Sequence, residues 1–179
     1  MRTNVLTMAL CIAVSGAFAT VQAQQPQIPT CQVCNPTEVK GNAYVKIASR
    51  SDATHNGSFS ITIEAKCTPP GYPLLTSLTI VVDMTDSIVT GPIVCTTINQ
   101  MTSTGKDSPT VYLNGRCKAE KLRGGRFWLM IADNQHQTEP ANGTPDVVGF
   151  LVMDGFGKRV AYGTGPVVEG DIFVAPSSY

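Results

Sequence analysis

Six cysteines and two histidines have the widest chemical reach in this chain, and their spacing decides which reactions are open to them. Cys31 and Cys34 form a Cys-x-x-Cys between Pro29 and Pro36. A reactive thiolate in that pattern needs a helix N-terminus behind it, and no helical periodicity follows. Covalent haem needs His directly after the second cysteine, where Asn35 stands. A zinc knuckle needs two further ligands at matching spacing, whereas Cys67, Cys95 and Cys117 are scattered singly. Structural disulfides are therefore the expectation, ahead of a metal-holding or redox role for Cys31 and Cys34. Five cysteines follow the N-terminal leader, an odd number, so at least one stays free or pairs between molecules. Spacing leaves the pairing open. The favoured bridge is Cys95 with Cys117, with Cys67 buried or joined to the N-terminal motif.

His55 and His136 are the available bases near neutral pH. His55 falls in a turn (Asp52 to Gly57) and His136 in a long polar loop (Asp133 to Pro145). Those positions predict solvated bystanders. The sequence contains no Gly-x-Ser-x-Gly elbow for a serine nucleophile. Glu64 and Asp83, the main carboxylates inside strands, both read onto polar faces. The carboxylates and amides of Asp133, Asn134, Glu139, Asn142 and Asp146 could supply oxygens to Ca²⁺, although their spacing matches no calcium motif; no other cofactor is indicated. Arg116, Lys118, Lys121, Arg123 and Arg126 form a basic cluster opposed only by Glu120. Such a cluster suits an anionic glycan, a phosphate-rich surface or an acidic partner, or simply a solvated strand edge. Asn56-Gly57-Ser58 and Asn142-Gly143-Thr144 match the glycosylation pattern.

The elements that must position these groups read as strands. Phe59, Ile61, Ile63, Ala65 and Cys67 alternate with Ser60, Thr62, Glu64 and Lys66, a period of two that a helix does not produce. Ala43, Val45 and Ile47 alternate likewise before the Asn56-Gly57 turn signal, so the two segments form a hairpin. Leu78, Ile80, Val82 and Met84 make a third strand and Ile93 to Ile98 a shorter one. A polar loop from Asn99 to Ser108 precedes a strand at Thr110. The runs Arg126 to Ala132 and Val147 to Met153 are apolar on both faces, as in strands covered on each side. Arg159 to Tyr162 and Asp171 to Val174 read as two last strands.

About eight or nine short strands predict an all-β fold: a two-sheet antiparallel β-sandwich, with a closed β-barrel as the alternative. An immunoglobulin-like order fits, without the buried Cys–Trp–Cys succession, because Trp128 follows the cysteines. Arg2, the apolar stretch Val5 to Val14 and Val21-Gln22-Ala23 read as a signal peptide over 1–23. A Pro- and Gln-rich extended tail follows over 24–38, and one domain over 39–179. Nothing after the leader reads as a membrane span. Thirteen basic residues balance thirteen acidic ones, which argues against nucleic acid as a partner. The expected protein is secreted, periplasmic or at the cell surface. Its expected role is non-catalytic: binding a protein or glycan, or surface and envelope assembly, with Asn99–Ser108 and Asp133–Pro145 as contact loops. The alternative is a secreted hydrolase or lyase using loop carboxylates with a loop histidine.

Overall fold

The computed structural model describes residues 37–47, 55–68, 72–89, 91–134 and 143–175. The leader, most of the tail with Cys31 and Cys34, His136, Glu139 and Asn142 lie outside them. Eight strands follow in chain order: β1 (Thr37–Lys46), β2 (Gly57–Thr68), β3 (Tyr72–Met84), β4 (Pro92–Thr104), β5 (Thr110–Ala119), β6 (Leu122–Ala132), β7 (Val147–Met153) and β8 (Arg159–Val174). Each pairs antiparallel with the next, and β8 pairs back onto β1. The sheet closes on itself.

The all-β expectation holds, and the sandwich gives way to the barrel. A sandwich was expected because one open sheet cannot cover its own apolar face; a sheet rolled shut covers it with its own far side. The closing element is β8. Its first half pairs with β7, Gly149 lying opposite Thr164, and its second half with β1, Gly41 lying opposite Ile172. Gly163, Gly165, Pro166 and Gly170 had read as a break between two strands. They sit inside one continuous strand of 16 residues. Bulges at Tyr44/Val45, Glu64/Ala65 and twice between β4 and β5 add the local twist that rolling requires.

Alternate residues turn inward. Phe59, Ile61, Ile80, Met101, Phe127, Ile131 and Ile172 are almost wholly excluded from solvent, and Phe59 meets Phe150 edge-on at 4.6 Å between ring centroids. Eight strands enclose a lumen that side chains can fill, and each large apolar group buried contributes about 1.5–3 kcal/mol. Lys40, Lys46, Glu64, Lys66, Arg116, Lys118 and Arg126 point outward and are exposed. This is the inverse of a transmembrane barrel, whose outer band is apolar and whose lumen is polar.

β4 runs on to Thr104, well into the segment expected to be a loop. Met101 and Ser103 are buried there while Gln100, Thr102 and Thr104 face out, so a polar outer face had looked like a loop. The β4–β5 and β6–β7 connections fall at the same end of the barrel, where the Asp133 amide donates to the Pro109 carbonyl at 3.0 Å.

Candidate functional site

Strands β5, β6, β7 and the first half of β8 stand in register, so their outward residues align in rows around the wall. One row runs Thr102, Tyr112, Met130, Gly149, Thr164. The next runs Gln100, Asn114, Trp128, Leu151, Tyr162. The third is Thr97, Arg116, Arg126, Met153, Arg159. The first two rows, Tyr162 excepted, line a hollow of about 350 Å³. Gly149 shapes its floor: a Cβ there would lie 2.8 Å from Thr164 Oγ1 and 3.7 Å from Met130 Cε. Tyr112 and Trp128 are 47% and 41% exposed on the wall of that hollow. Beside them the Asn114 amide donates to Gln100 Oε1.

Two further hollows continue the first. One of about 300 Å³ shares Asn114 and Trp128 with it and adds Asn99, Arg116 and Arg126. Another of about 360 Å³ shares Arg116 and Arg126 with the second and adds Thr96, Lys118, Gly124 and Gly125. Together they make a groove along the wall of β4–β7, aromatic at one end and basic at the other. Among the described residues that line it, none is acidic. Glu38, Glu64, Glu169 and Asp171 sit instead on β1, β2 and the second half of β8.

Of the basic cluster, Arg116 and Arg126 are register partners and Lys118 lines the same groove. Lys121 occupies the β5–β6 turn with φ +63°, and Arg123 is the second residue of β6, its carbonyl accepting the Gly155 amide at 2.8 Å. The aromatic rows were missed because Arg126–Ala132 had read as covered on both faces. Phe127, Leu129 and Ile131 are buried; Trp128 and Met130, between them, look outward.

His55 is not the solvated residue its turn suggested. It is 5% exposed, its Nδ1 lies 2.8 Å from Asp86 Oδ2, and its ring stacks on Tyr162 at 3.9 Å with an interplanar angle of 2°. Arg159 stacks on Tyr162 as well, at 3.8 Å. A histidine held by a carboxylate has the geometry of a general base. His55 Nε2, however, is buried without a hydrogen-bond partner among the described residues, and the residue lines none of the three hollows.

Asp133 and Asp146, expected as loop ligands for calcium, are 2% and 1% exposed. Asp133 Oδ2 accepts the Val174 amide at 2.9 Å and Asp146 Oδ1 the Asn134 amide at 2.8 Å. Each carboxylate ties the β6–β7 connection or the end of β8 in place. Among the described residues, no group of three or more His, Cys, Asp or Glu side chains is arranged to hold a metal.

Cys95 and Cys117 are directly opposite each other on β4 and β5, as the favoured pairing required, yet both are buried free thiols in this structure. They touch through a hydrogen bond that holds the Cys117 thiol below the usual range and, with burial, pushes Cys95 far above it. Cys67, buried on β2, is disulfide-bonded. No family model matches this chain, nor does any curated protein or solved structure.

Proposed function

We propose that this chain is an exported, non-catalytic binding module that holds an anionic glycan along the outer wall of its barrel. The observation that carries the reading is the continuity of the aromatic rows with the Arg116–Arg126–Arg159 row. A sugar ring presents weakly positive C–H faces, which suit the electron-rich faces of Tyr112 and Trp128. Its hydroxyls pair with Asn114, Gln100, Thr102 and Thr164, which both donate and accept. Carboxylate or sulfate groups further along the chain meet the guanidinium groups, whose fork matches an oxyanion. A groove of this volume suits a few sugar units. A protein partner would need about 800 Å² of well-packed surface, and here the apolar strip is interrupted by amides and hydroxyls. The filled lumen leaves recognition to the wall. Export is supported by Arg2, the apolar stretch after it and the Val21-Gln22-Ala23 cleavage pattern.

Trp128 is the chain's single tryptophan and reports on the groove directly. Titration with a polyuronate oligosaccharide should give saturable quenching that a neutral oligosaccharide of equal length reproduces only weakly. Arg116→Gln with Arg126→Gln should remove the difference between the two. Equal responses to the polyuronate and to a short single-stranded DNA would reduce the groove to a charge effect. No response to any anionic glycan would overturn the reading. The alternative, a hydrolase or lyase, gains one observation, the 2.8 Å His55–Asp86 contact. It requires release of shorter products from the same polyuronate, abolished by His55→Gln.

A further inference from the structure

We propose that the end of the barrel carrying the β5–β6 and β7–β8 turns docks on an anionic lipid bilayer, with the Phe156 ring entering the headgroup region. Phe156 is 95% exposed, far more than any other large apolar side chain among the described residues. It stands in the turn between Met153 and Arg159, and that turn is pinned. Asp154 Oδ1 accepts the amides of Phe156 and Lys158, both at 2.9 Å. The Asp154 amide donates to the Lys158 carbonyl at 2.9 Å, and the Gly155 amide reaches across to the Arg123 carbonyl at 2.8 Å. A ring held out in water on so fixed a turn binds without the entropy that ordering a loop costs.

Its surroundings are basic. In a barrel whose consecutive strands pair antiparallel, the β3–β4, β5–β6 and β7–β8 connections share one end. Lys121 and Arg123 are exposed at the β5–β6 turn and Lys158 beside Phe156, with Glu120 the exposed carboxylate of those two turns. The Asp154 carboxylate is taken up by the turn amides. The β3–β4 connection adds Ile88, 58% exposed, whose amide donates to the Val160 carbonyl at 3.1 Å while its neighbour Val89 is buried.

This arrangement fits a bilayer better than a protein. A protein partner needs about 800 Å² of packed surface, and here apolar side chains are set singly among charges. A membrane interface takes up single apolar groups at the boundary between headgroups and acyl chains, while anionic headgroups attract each Lys or Arg nearby. The long Lys and Arg stems lie along apolar surface with their charges in the headgroup layer. The inference is independent of the glycan reading, because the wall groove reaches this end only at Gly124 and Gly155.

The test moves the chain's single tryptophan to the turn. Trp128→Phe with Phe156→Trp, in the full-length chain, is titrated with vesicles of mixed phosphatidylglycerol and phosphatidylcholine. The signal comes from the introduced indole, so contacts of the apolar N-terminal stretch with the same vesicles do not produce it. Emission should shift to the blue and be quenched by brominated acyl chains, and phosphatidylcholine alone should need about tenfold more lipid for the same shift. Adding Lys121→Gln, Arg123→Gln and Lys158→Gln should remove that preference. Circular dichroism should match the parent's in each case, since every changed side chain is exposed. An unshifted spectrum on the anionic vesicles overturns the proposal. So does a shift that brominated chains leave unquenched, or one of equal size on both kinds of vesicle.

Discussion

The side chains proposed to hold the glycan fill no space in the core, so mutation separates binding from stability. Trp128 and Tyr112 sit on the outer wall and fill no space in the core. Trp128→Ala should therefore weaken polyuronate binding by about tenfold, the equivalent of losing roughly 1.4 kcal/mol of ring contact. Calorimetric titration, which does not depend on the tryptophan signal, measures the loss; the melting temperature should stay within about 2 °C of the parent. His55 behaves in the opposite sense. His55→Ala removes a charge-assisted hydrogen bond to Asp86 and a ring stack on Tyr162, and leaves the carboxylate without that partner. The expected cost is about 2–3 kcal/mol, seen as a lower midpoint in urea unfolding. Binding by the folded fraction should not change, because His55 lies outside the groove. A variant as stable as the parent would show that the contact carries no net energy.

At the scale of elements, closure depends on the seam between β1 and β8. Gly41 and Gly170 adopt φ +147° and +86°, and each faces the opposing strand's backbone so closely that a Cβ would lie 2.2 Å from the Asp171 carbonyl or 2.3 Å from that of Asn42. Gly157 has a similar φ of +82° with nothing within 4 Å. Gly157→Ala should cost only the backbone term, about 1–2 kcal/mol. Gly170→Ala adds a collision with main chain that no rotamer relieves, so its loss should exceed that of Gly157→Ala by about 2 kcal/mol in chemical denaturation. Equal losses would mean that the seam yields. The seam also marks where legibility ended. Strands such as Phe59–Cys67 were plain because alternation is local. A sandwich and a barrel share that alternation, and the difference lay in which distant strand β8 meets. Its glycines and proline, read locally, looked like a break. For the same reason the Arg116–Arg126 pairing was half visible as a cluster, while the alignment of Tyr112, Asn114 and Trp128 beside it needed the register. The burial of His55 depended on Asp86 and Tyr162, remote in sequence.

Across the whole molecule the balance of charge conceals a local basic excess. Thirteen basic and thirteen acidic residues sum to no net charge, so no long-range field draws polyanions to the protein as a body. The fold nevertheless gathers Arg116, Lys118 and Arg126 on β5 and β6, whereas on β1 and β2 the acidic Glu38 and Glu64 are interspersed with Lys40, Lys46 and Lys66. The attraction is therefore local to one wall, within about a Debye length of 8–10 Å at ordinary salt. Stability has another origin: it comes from the apolar lumen, and the ion pair between Lys40 and Glu38, at 3.5 Å, is solvent-exposed and adds little. Salt should consequently act on the two properties unequally. Raising sodium chloride from about 0.05 to about 0.5 M should weaken polyuronate binding by roughly tenfold, as screening shortens the reach of the three cations. The melting temperature should move by no more than about 2 °C over the same range. Parallel calorimetric titrations and thermal melts distinguish the cases. Affinity unmoved by salt would mean that the arginines do not hold the ligand, and would leave the aromatic rows to account for binding alone.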